Sequence, residues 1–165
     1  MKKMNNKGFS LVELIIVIAI MAILIVVLAP QYLKYVERSR NSTDMQTATE
    51  FMDACEVWAA DPYATPGFTA NYEFKISNNT STDPATLTDA GGVVAAALAS
   101  TGLTVNDFKC QSKTAWTTLE INGVVTSDGT IAWWSTQTDF ADKMGLQTSK
   151  AAALALVSGS AGGTE

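Results

Sequence analysis

Glu13 stands inside an otherwise uncharged run that extends from Phe9 to Ala29. An ionised side chain deep in hydrocarbon costs on the order of 2.5–3.5 kcal/mol, so an acid there calls for a partner or a route to water. If it lies near an interface it can snorkel, but that does not explain why an acid occupies the position. Elsewhere the chemistry is sparse. The chain has no His, no nucleophile elbow, no P-loop and no Cys-x-x-Cys, so no catalytic constellation emerges and an enzyme is not expected. Asp128, and the pair Asp139 and Asp142, could offer oxygens to calcium. They lack the dense ligand spacing of an EF-hand and read as turn and cap residues, so no metal or cofactor is expected.

The element that positions Glu13 must be a helix. At ~1.5 Å per residue, the 21 residues from Phe9 to Ala29 span roughly the 30 Å of a bilayer's hydrocarbon core. Leu, Ile, Val, Ala and Met dominate, and no Gly or Pro interrupts before Pro30. Lys2, Lys3 and Lys7 precede the run without an acid, a flank that stays cytoplasmic and sends the rest across. A conventional signal peptide fits poorly. Its best small-residue site, Val27-Leu28-Ala29, is followed by Pro30, the run is longer than needed, and Cys55 is too distant for a lipoprotein anchor.

The stretch "KGFSLVELIIVIAIMAIL" resembles the leader and helix start of type IV pilins and their relatives. Basic leader, Gly-Phe junction, acid spacing and apolar length all agree over roughly the first 30 residues. The resemblance implies that a membrane prepilin peptidase cuts between Gly8 and Phe9 and that the new amine on Phe9 is methylated. Glycine on the acyl side lets the enzyme approach the backbone closely. The cut removes three lysines and leaves a cation one helical turn from Glu13. In the helical filament that the resemblance implies, Glu13 of one subunit neutralises the Phe9 amine of a neighbour and fixes its register. The intrachain alternative is that Glu13 serves its own Phe9 amine and helix N-terminus.

Beyond Asn41 the apolar residues Met45, Ala48, Phe51, Met52, Cys55 and Ala59 recur at spacings of three and four, predicting an amphipathic helix to about Ala60. Lys34, Glu37, Arg38, Arg40, Asp44 and Glu50 are assigned to its other faces. Pro30 cannot donate to the carbonyl of Val26, so it kinks or loosens the helix between its apolar and amphipathic halves. From Asp61 the composition turns to Thr, Ser, Asn, Asp, Gly and Ala. That region reads mostly as loop, with a strand at 72–76 and a short helix at 93–99 behind Gly91-Gly92. The segment "AWTTLEINGVVTSDGTIAWWS" predicts strands at 116–121, 124–126 and 130–135, turning at Asn122-Gly123 and at Ser127-Asp128-Gly129. Such a meander, packed across the helix, would bring Trp116 or Trp133 beside the Met45/Phe51 face. "SKAAALALVSG" suggests a short helix and "SGSAGGTE" a flexible tail. Asn78-Asn79-Thr80-Ser81 contains glycosylation-type triplets, relevant only in a host that uses them.

The expected fold is α+β: a long N-terminal helix, half hydrophobic and half amphipathic, packed against a small antiparallel sheet head, as in pilins. Its parts are a leader at 1–8, a membrane and filament-core segment at 9–29, an amphipathic continuation at 30–60, a globular head at 61–157 and a tail at 158–165. Because the resemblance puts the head outside the cell, Cys55 and Cys110 are candidates for a disulfide; two buried free cysteines are the alternative. The net charge of −5, from 11 basic and 16 acidic residues, becomes more negative once the leader lysines are lost. An acidic head does not favour nucleic acid, and Lys109 and Lys113 read as solvated surface.

The reading is therefore a structural pilus subunit. It is a single-pass precursor in the cytoplasmic membrane and then an extracellular homo-oligomer, built by an assembly platform and its ATPase for adhesion, motility or aggregation. A pseudopilin or competence pilin for secretion or DNA uptake is the first alternative, and a monomeric membrane-anchored surface-binding protein the second.

Overall fold

The computed structural model describes residues 8–61, 72–79, 84–89 and 92–160. Residues 1–7 of the leader and 161–165 of the tail lie outside the described residues. Contacts divide the chain into one unit ending at Arg38 and one beginning at Ser39.

Helix α1 is Leu11–Ala60, 50 residues with Pro30 inside it. It follows from unbroken apolar sequence in its first half and a 3,4-spaced stripe in its second. In the second unit, β1 (Tyr72–Asn79) and β2 (Thr86–Asp89) precede helix α2 (Val93–Thr101) and a 3-10 turn at Val105–Asp107. Then come β3 (Thr118–Val125), β4 (Ile131–Trp134), α3 (Thr138–Met144) and α4 (Lys150–Ser160). The four strands order as β2-β1-β3-β4 and every neighbouring pair is antiparallel. This is the α+β arrangement expected.

Period-2 alternation divides the sheet into two faces. Phe74 and Ile76 of β1 and Leu119 and Ile121 of β3 join Ala48, Phe51, Cys55 and Ala59 of α1 in the main core, with Met45 and Met52 packed beside it. The ring of Phe51 meets that of Phe108 edge-on at 5.0 Å, and Trp116 meets Phe140 at 5.4 Å. The other face carries Val124, Ala132 and Trp134, covered by Ala153, Leu154 and Val157 of α4. Both tryptophans named from the sequence reach α1: the indole N–H of Trp116 donates to Asp44 and that of Trp133 to Glu56, each at 2.8 Å.

Three expectations need correction. Asn122-Gly123 is not a turn, because β3 runs straight through it with partners on both sides. Gly123 serves a close approach instead: a Cβ there would lie 2.3 Å from Cζ of Phe74. The second turn does form. Thr126 N–H donates to the Thr130 carbonyl at 2.8 Å, Gly129 takes φ 84°, and Asp128 accepts from the Thr126 hydroxyl and from Thr130 N–H. Next, residues 86–89, read as loop, are edge strand β2. Finally, the tail expected from Ser158 is helical through Ser160.

Candidate assembly site

Helix α1 begins behind Ser10, whose hydroxyl accepts from Val12 N–H at 3.3 Å. Glu13 reaches back so that Oε2 accepts the Ser10 N–H at 2.9 Å. The two side chains satisfy N–H groups that the first turn cannot pair internally. In this single chain, then, the Glu13 carboxylate caps its own helix, and its negative charge also suits the positive end of the helix dipole. Phe9 projects ahead of the cap and is 90% exposed.

Gly8 has open space where a side chain would begin and no positive φ. The fold of this chain therefore does not require glycine at that position. Past the cap, the apolar side chains from Leu11 to Leu28 are uncovered, and α1 is long and apolar enough to cross a membrane. A contiguous apolar surface of this extent marks contact with lipid or protein. Pro30 lies within α1, which continues through it.

The structure holds Cys55 and Cys110 as free thiols, and its geometry explains why they are unbridged. Cys110 Sγ lies 3.8 Å from Asp44 Oδ2. Cys55 is three turns further along α1, roughly 16 Å at helical rise, whereas a disulfide needs Cα atoms about 4.4–6.8 Å apart. Burial pushes both thiols up to about 12, reinforced at Cys110 by the Asp44 charge and at Cys55 by Asp89 and Glu56.

Asp44 itself is a further correction. Assigned to a solvated face, it is fully buried and accepts from Gln111 N–H at 2.7 Å, Ser112 N–H at 2.9 Å and the Trp116 indole at 2.8 Å. One carboxylate thus fastens the segment 110–116 to α1. The signal was present, since positions 44, 48, 51, 55 and 59 continue a single stripe. An acid on an apolar stripe implies buried donors to receive it.

Among the other candidates, Asn78 is buried and its amide oxygen accepts Cys110 N–H at 2.9 Å. It is therefore not an open acceptor for a glycan. Thr80 and Ser81 lie outside the described residues. Among the described residues, no three His, Cys, Asp or Glu side chains gather as a metal site.

Residues 3–29 match the prokaryotic N-terminal methylation motif. Fimbrial protein EcpC of Eikenella corrodens is 34% identical over 140 residues, covering 81% of this chain and 84% of that protein. The type IV major fimbrial protein FimA of Dichelobacter nodosus is 41% identical over 59 residues, 36% of this chain and 38% of its own. No solved structure matches.

Proposed function

Because this chain belongs to the type IV pilin family, we propose that it is a structural subunit of a surface pilus and catalyses no reaction. It is made as a single-pass membrane precursor, cut between Gly8 and Phe9 by a prepilin peptidase and methylated on Phe9. An assembly platform and its ATPase then build it into an extracellular filament that serves adhesion, motility or aggregation. The observation that carries this reading is the wholly uncovered apolar half of α1 with an acid in its first turn. Lipid can cover that surface before assembly, and the equivalent helices of other subunits can cover it afterwards.

The open surroundings of Gly8 support the processing step, since a glycine that the fold does not require is explained by an enzyme that must approach the backbone. Once the chain is cut, Glu13 has a cation to answer. The Ser10 cap is then the state of the lone subunit, and an amine from a neighbouring Phe9 competes for the same carboxylate. Such a buried pair sets register more than it adds stability.

Amino-terminal mass spectrometry on sheared surface filaments tests the proposal. The expected species begins at N-methylated Phe9 and dominates the fraction. An intact Met1 start, or a mature subunit absent from sheared filaments, would overturn it. Abundance in that fraction also separates a pilus subunit from a pseudopilin.

A further inference from the structure

Antiparallel pairing of β1 with β3 sets Lys75 directly opposite Asn122. Glu120, two residues before Asn122 on the same strand, shares their face of the sheet. The three side chains form one network. Lys75 Nζ lies 2.6 Å from Glu120 Oε2, while Asn122 Nδ2 donates to Glu120 Oε1 at 3.0 Å. The Thr136 hydroxyl also donates to Oε1, at 2.7 Å, and helps fix the carboxylate. Glu120 and Asn122 are each only 6% exposed, with buried Trp134 paired to Asn122 on the adjoining strand.

These groups are an amine nucleophile, an amide electrophile and a carboxylate touching both. We propose that Lys75 and Asn122 condense into an intramolecular isopeptide bond, with Glu120 relaying the proton. An ion pair by itself would require only the carboxylate. The buried amide beside it adds a carbon that the lysine nitrogen can attack. Holding all three on adjacent strands replaces a bimolecular encounter with a positioned one, and a carboxylate in hydrogen-bond reach of both nitrogens satisfies the geometry for general base and then general acid.

The step balances as follows. Glu120 takes a proton from the Lys75 ammonium, and the freed amine forms a bond to Asn122 Cγ. The Cγ–Nδ2 bond breaks as Glu120 returns its proton to the departing nitrogen. That proton completes ammonia, and the second proton lost by the lysine nitrogen converts it to ammonium. Lysine ammonium plus primary amide thus become secondary amide plus ammonium, and Glu120 ends as the carboxylate it began. No oxidant or cofactor takes part. Lys75 is 43% exposed, which gives the ammonium a path to water. The product would be a covalent tie between β1 and β3, a device suited to a head that must withstand pulling.

The test is mass spectrometry of the full chain purified from membranes in detergent. The wild-type protein is expected to be lighter by one ammonia than its processed sequence requires, and its digest to contain a branched peptide joining Lys75 to Asn122. Glu120→Gln and Lys75→Arg should both restore the full mass. Lys75→Arg keeps a cation beside Glu120 at a half-exposed position and so serves even if Glu120→Gln does not fold. A wild-type chain of full mass overturns the proposal. So does ammonia loss without a branched peptide, which would be cyclisation at Asn122-Gly123, and so does a link that survives in Glu120→Gln.

Discussion

Asp44 shows what one buried carboxylate can do when both of its oxygens accept hydrogen bonds. Two backbone N–H groups and an indole converge on it, so truncation would strand buried donors as well as remove the anchor. Asp44→Ala is expected to destabilise the head by about 3–5 kcal/mol, within the range for breaking a buried charged network. Asp44→Asn should cost less, because its amide oxygen still accepts while its NH2 group confronts other donors. Urea unfolding of the two variants followed by tryptophan fluorescence checks the order; equal stability to wild type would remove Asp44 from this role. At Gly123 the constraint is space. The Phe74 ring occupies the place of a Cβ and is itself set edge-on against Trp133 at 5.4 Å. Gly123→Ala should cost about 1–3 kcal/mol through overpacking. Part of that loss should return in Gly123→Ala combined with Phe74→Leu, read as thermal midpoints of the two proteins.

At the scale of elements, α1 and the segment before β3 each hold a thiol shielded from water. Burial raises both from 9.0 to about 12, so little thiolate forms at pH 8 and neither thiol should react readily while the head is folded. Iodoacetamide is expected to label Cys55 and Cys110 slowly in native protein and promptly in urea without reductant; absence of labelling in urea would reinstate a bridge. The same shifts give a pH dependence. Each thiol is protonated in the folded head and ionises sooner when unfolded, so this contribution is complete below pH 9 and is lost as pH rises through about 12. Tyr72 acts in the same direction, its phenol raised by burial and by donation to Asp89 at 2.5 Å. Cys55→Ala should therefore be less stable near neutrality, through lost packing, yet flatter between pH 9 and 12. A parallel slope in denaturation midpoints would contradict that assignment.

For the whole molecule, the decisive property is the apolar half of α1, which lacks cover in a single chain and needs lipid or other subunits. In the filament proposed for this chain, Glu13 separates anchoring from assembly. Glu13→Gln retains size and can still accept the Ser10 N–H, so insertion, processing and folding of the head should stay near normal. In a filament the Phe9 amine of each incoming subunit would then meet no carboxylate. An uncompensated buried charge costs about 3–5 kcal/mol, and a loss of that size at every subunit should nearly abolish sheared filament while mature subunit persists in the membrane. Normal filament yield from Glu13→Gln would show that this carboxylate does not set assembly.

The sequence by itself determined what depends on neighbours along the chain: the membrane-length run, its basic flank and early acid, the stripe of α1 and the turn at Asp128-Gly129. Each is a matter of local periodicity or backbone preference, legible without knowing the partner. Only the tertiary structure decided the rest. Asn122-Gly123 has the composition of a turn, but ladder partners on both sides and the ring of Phe74 make it strand. Residues 86–89 become a strand by pairing with β1, and the short α3 carries too few residues to announce itself. Cys55 and Cys110 resemble a pair in sequence but meet α1 three turns apart. Asp44, and Lys75 opposite Asn122, acquire their chemistry from residues distant in the chain. Burial and register are properties of the partner set, and tertiary contacts override local propensity wherever several distant groups converge on one position.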